Sequence, residues 1–109
     1  MSQRAAKMES LIQHVVATTL SSLLEKDAAA VTVTRVDAAG DMRNAKVWIG
    51  LLGNQTTADR LWLRIQGVQG HLQAALSSQL TTKFVPRLQL QRDTGGEYAA
   101  HIDKLIRDL

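Results

Sequence analysis

At 109 residues, 45% of them hydrophobic and 21% charged, the chain has the size and composition of one globular domain around a single core. It has no cysteine, which excludes a disulfide scaffold and favours a reducing compartment. Its net charge of +3 promotes encounter with polyanions but is too mild to establish nucleic-acid binding by itself.

No apolar run approaches the ~20 residues that span a membrane. Near the N-terminus Glu9, Gln13 and His14 interrupt the apolar residues, so no signal-peptide pattern forms and a cytoplasmic location is expected. From Arg4 to about Glu25, Met8, Leu11, Ile12, Val15, Val16, Leu20, Leu23 and Leu24 recur at steps of three and four, which predicts an amphipathic helix. Val31 to Val36 then alternates and is rich in β-branched residues, and Ala45, Val47, Ile49 and Leu51 alternate in the same way. The intervening Asp37 to Asn44 supplies turn chemistry around Gly40, so the two strands read as a hairpin.

A second helix is expected from Thr56, with Thr56 and Asp59 at capping-box spacing and Ala58, Leu61, Trp62 and Ile65 on one stripe. The period continues in phase through Val68, Leu72, Ala75, Leu76 and Leu80. Gly67 and Gly70 interrupt it, each costing about 1 kcal/mol against Ala in a helix interior, which predicts a kink or short break. Pro86 can open a strand but not occupy its middle, and the alternating segment from Arg87 to Asp93 follows it. After Gly95-Gly96, a closing helix from Glu97 would align Tyr98, Ile102, Leu105 and Leu109. The order is an α+β domain spanning 1–109, with three strands, helices on one face and a kinked helix pair in the middle.

That order matches the KH-like arrangement in which a helix precedes the first strand (the type II order). The residues themselves resemble the ribosome-binding factor A family. A Val/Thr strand leads through an acidic loop to Asp41, Met42, Ala45, Val47 and Trp48 in the family's order. Leu80 to Asp93, with Pro86 and Leu88, and then Glu97, Ile102, Leu105 and Ile106 continue the match. The family's Ala-x-Gly at the kink is replaced by Val68-Gln69-Gly70, a basic residue often found after it is Gln73, and the basic tail of many members has no counterpart before Leu109. The resemblance implies a non-enzymatic factor, acting as a monomer, that binds the immature 30S small subunit and its 16S rRNA. It would assist late maturation and 5′-end processing, matter most in the cold, and need no cofactor, membrane or small-molecule substrate.

The residues leave two readings open at most candidate positions. Gly67-Val-Gln-Gly70 is a G-x-x-G, which in KH domains lets phosphates approach the main chain; equally, it is a packed kink with Val68 buried. Lys46 and Trp48 share a strand face with Thr32, Thr34, Arg87, Gln89 and Gln91, either a surface on which a base stacks or a solvated face. Trp62 lies on the apolar stripe and is assigned to the core. Arg4, Lys7, Arg43, Arg60, Arg64, Lys83 and Arg87 are candidate phosphate contacts if the fold gathers them, and solvated cations if it does not. His14, His71 and His101 are far apart, with no metal-ligand spacing, and no nucleophile or Walker motif is present. A KH-like module for other RNA or single-stranded DNA, or a protein-interaction domain, are the alternatives that this composition also permits.

Overall fold

The computed structural model describes residues 3–38, 40, 42–81 and 84–94. Helix α1 (Gln3–Leu24) turns Ile12, Val15, Val16, Leu20 and Leu24 inward. It stops where Glu25 takes a φ of 54°, and Glu25–Ala30 form a 3-10 segment that the apolar periodicity gave no reason to expect. Strands β1 (Val31–Ala38) and β2 (Asn44–Leu51) follow, then helices α2 (Gln55–Gly67) and α3 (Gln69–Gln79), then β3 (Arg87–Asp93). The order is as expected through β3. The expected closing helix from Glu97, like Lys83, lies outside the described residues.

Helix α2 begins one residue earlier than expected and with a different cap. The Asn54 side-chain oxygen accepts from the Thr57 N–H at 2.8 Å, so Asn54 caps the helix in place of the Thr56–Asp59 pair. Asparagine is among the preferred capping residues because its short side chain reaches the third free N–H of the first turn. Gly53, at φ 114°, makes the tight approach to that cap.

The sheet order is β1-β2-β3, with β1 antiparallel and β3 parallel to the central strand. Ala45, Val47 and Ile49 of β2 are fully buried against the helices, together with Leu88, Ile12, Val16, Ile65, Leu72 and Leu76. Strand β1 carries a parity conflict. Val31 and Val33 sit at odd positions and Val36 and Ala38 at even ones, so an unbroken strand could not turn all four inward. A register shift between Val33 and Arg35 resolves it: before it Val33 pairs with Ile49, after it Arg35 pairs with Trp48.

Both sheet edges are held by polar side chains spaced four apart on a helix. From α1, the Gln13 amide donates to the Val33 carbonyl at 3.3 Å and the Glu9 carboxylate accepts from the Ala38 N–H at 2.9 Å. From α3, Gln69 donates to the Leu88 carbonyl at 2.9 Å. Gln73 donates to the Pro86 carbonyl and accepts from the Leu88 N–H, both at 2.9 Å. Because a buried backbone group left without a partner costs about 1–3 kcal/mol, Gln73→Ala should lower the urea-unfolding free energy by an amount in that range. Conversely, Glu25→Gly should raise it by about 1 kcal/mol, since a left-handed conformation is strained for any residue with a Cβ.

Candidate nucleic-acid interface

The strand period fixes what faces away from the helices. Along β2 the outward residues are Asn44, Lys46 and Trp48. Register places Arg87 beside Asn44, Asp37 and Gln89 on either side of Lys46, and Arg35 and Gln91 on either side of Trp48. The Arg35 guanidinium carbon lies 4.5 Å from the Trp48 ring centroid, a cation–π contact. Its Nη2 is also 3.6 Å from the Asp37 carboxylate.

Arg35 is the residue that sequence reading missed. A simple alternation puts Thr34 on this face next to Trp48. The register shift instead makes Thr34 the extra residue, and its hydroxyl donates to the Asp93 carboxylate at 3.0 Å, lying also 3.3 Å from the Trp48 carbonyl. The signal was present in the three-residue step from Val33 to Val36, which demands a change of parity between them. Lys46 and Arg87 are exposed and make no side-chain ion pair or hydrogen bond among the described residues. The adjacent amides of Gln89 and Asn44 meet at 3.3 Å.

The other candidates lie on the helices or at the sheet's end. Gly67 and Gly70 flank a closed kink: the Val68 N–H is bonded to the Ile65 carbonyl and the Leu72 N–H to the Val68 carbonyl, each at 3.1 Å. Val68 is half-buried against the core, so the segment is a packed break between two helices and not an open loop. A Cβ on either glycine would meet nothing within 4 Å, and the space above the main chain there is open. No side chain caps the first turn of α3, a position where helix dipole and N–H groups favour an anion.

Arg60 is exposed on α2. Arg64 is occupied otherwise, with Nη1 2.9 Å from the Asp27 carboxylate and Nη2 3.2 Å from the Leu23 carbonyl, tying α2 to the end of α1. Arg4 and Lys7 are exposed at the start of α1. Arg43 sits at the end of the β1–β2 loop, where its carbonyl accepts from the Arg87 N–H at 2.8 Å. The fold therefore gathers Lys46, Trp48 and Arg87 on the outer sheet face together with Arg35, sets Arg43 beside them at the end of the β1–β2 loop, and leaves Arg4, Lys7, Arg60 and Arg64 on the helices. Trp62, expected in the core, is partly buried against it. Among the described residues no cluster of His, Cys, Asp or Glu could hold a metal ion, and no helix is long and apolar enough to cross a membrane.

A model of the family described as ribosome-binding factor A matches residues 4–106. The chain belongs to the ribosome-binding factor A family. It is 33% identical over 79 residues to a ribosome-binding factor A of Staphylococcus carnosus, covering 72% of this chain and 69% of that one. A ribosome-binding factor A of Akkermansia muciniphila is 26% identical, with 100% of this chain and 86% of that one covered. The solution structure of a Thermotoga maritima protein, provisionally named a ribosome binding factor A, superposes with a TM-score of 0.71 at 28% identity, over 86% of this chain and 91% of that one. The crystal structure of ribosome-binding factor A from Thermus thermophilus shares the KH-like fold at a TM-score of 0.65 and 20% identity, over 81% of this chain and 94% of that one.

In this chain neither kink glycine is demanded by packing or by a left-handed backbone. Gly67→Ala and Gly70→Ala should therefore leave the fold intact and raise stability by a few tenths to about 1 kcal/mol each in urea unfolding. A decrease of similar size would show that the backbone there is not helical.

Proposed function

We propose that the chain binds the immature 30S small ribosomal subunit through its 16S rRNA, assists late maturation and 5′-end processing without a covalent step, and departs before translation. The observation that carries this reading is the family match across residues 4–106. Supporting it, the outer sheet face holds the exposed cations Arg35, Lys46 and Arg87 around an aromatic residue, and the α2–α3 kink leaves its main chain open to close approach. Phosphate contacts fall to Lys46, Arg87, Arg43, Arg60, Arg4 and Lys7, with Lys83 a further candidate from the sequence. Arg64 is left out because its guanidinium ties α2 to α1. Binding selects RNA shape, the chain works as a cytoplasmic monomer, and the demand is greatest in the cold, where misfolded rRNA is trapped longest.

Sedimentation of a lysate at low magnesium and low salt, followed by detection of the protein across the gradient, tests the reading. Co-migration with free small subunits, and not with translating ribosomes, is the expected result. Recovery only at the top of the gradient would sink it, transferring the assignment to another RNA or to a protein partner. In the purified system, affinity should fall steeply with salt. Replacing Lys46 and Arg87 by Gln should flatten the log–log salt slope by about 0.7–0.9 for each phosphate that is no longer neutralised.

A further inference from the structure

The outer sheet face offers more than positive charge. Trp48 and Arg35 are stacked at 4.5 Å, and the arginine side chain stays about half exposed, at 49%. Guanidinium planes accept nucleobases in the same way that aromatic rings do, and a guanidinium already laid on an indole is held flat at little further cost in side-chain entropy. Register puts Gln91 beside Trp48 and Gln89 beside Lys46, so amide donors and acceptors border the stacked pair. Lys46 lies two residues along β2, about 7 Å away, with Arg87 on the neighbouring strand. Among the described carboxylates on this face, Asp37, across from Lys46 in register, lies 3.6 Å from the Arg35 guanidinium, and Asp93 accepts from the Thr34 hydroxyl, while the Lys46 and Arg87 side chains make no ion pair among the described residues.

We infer that this face binds an unpaired segment of RNA, with one base stacked on the Arg35–Trp48 pair, its edge met by Gln91, and its flanking phosphates held by Lys46 and Arg87. The inference rests on the reading of the chain as an RNA-binding ribosome factor and specifies the form of RNA that one of its surfaces takes. A duplex cannot use the platform, because its bases are already stacked and its edges paired.

The test uses Trp48 fluorescence in a Trp62→Phe background, where Trp48 is the only tryptophan. A short oligouridylate should change the emission saturably, and an abasic strand of the same length and charge should bind without that change. Arg35→Lys, which keeps the charge but removes the flat surface, should weaken oligouridylate binding about tenfold, the scale of one base stack, and leave abasic-strand binding unaltered. The idea is overturned if the abasic strand gives the same emission change, if oligouridylate gives none, or if Arg35→Lys binds as tightly as the parent. Sedimentation with small subunits separates this outcome from the wider assignment. Silent Trp48 emission in a protein that still co-migrates with subunits removes only the stacking platform. A responsive Trp48 in a protein that never meets a subunit removes only the ribosomal assignment.

Discussion

Strand β3 lies parallel to β2, and a parallel neighbour cannot be reached by a tight turn. Everything between Leu51 and Arg87 must therefore carry the chain back over the sheet, and α2 and α3 do so. This single requirement accounts for much of the molecule. The crossover has to bury an apolar stripe, which Ala58, Leu61, Ile65, Leu72 and Leu76 supply. It also has to deliver β3 in register, and the glutamines of α3 hold Leu88 by both its N–H and its carbonyl. Gln73, shortly after the kink, serves the sheet edge through the Pro86 carbonyl and the Leu88 N–H.

The same logic appears at the other margin. An edge strand presents backbone groups that invite pairing with another chain. Glu9 and Gln13 of α1 meet β1 as Gln69 and Gln73 of α3 meet β3, each pair one helical turn apart. The helices thus do two jobs with two sides: apolar residues fill the core, and polar residues at its borders finish the sheet. The outer face of the sheet is left uncovered by these helices, and its composition is set by the strand period alone.

Much of this architecture is legible in the sequence because hydrophobic period is a strong signal. The stripes of α1 and of α2–α3, the alternation of β2 and β3, and the break between Gly67 and Gly70 all follow from residue spacing. What escaped depends on interactions that spacing does not encode. Asn54 outcompetes Thr56 as a cap because of where the turn at Gly53 places it. The 3-10 segment after Leu24 carries no periodic mark. Gln73 looks like an ordinary surface residue until the strand it serves is in position. On the outer face, Lys46, Trp48 and Arg87 were legible as neighbours, but Arg35 was not, since its place depends on an extra residue in β1. Arg64 shows the opposite failure: a cation on an amphipathic helix looks available until Asp27 and the Leu23 carbonyl are found beside it.

The two seams of the sheet also differ in how far apart their halves lie along the chain. Ala38 and Ala45 meet across a short loop, whereas Ala45 and Leu88 meet only after the whole helix pair has been laid down. Loop-closure entropy grows with the length enclosed, so the hairpin seam is the cheaper one to form and the parallel seam the dearer. Local helix formation in α2 and α3 shortens the effective span that must be closed. Chain entropy thus favours an order of assembly in which β1 and β2 join first, the helix pair condenses onto them, and β3 arrives last.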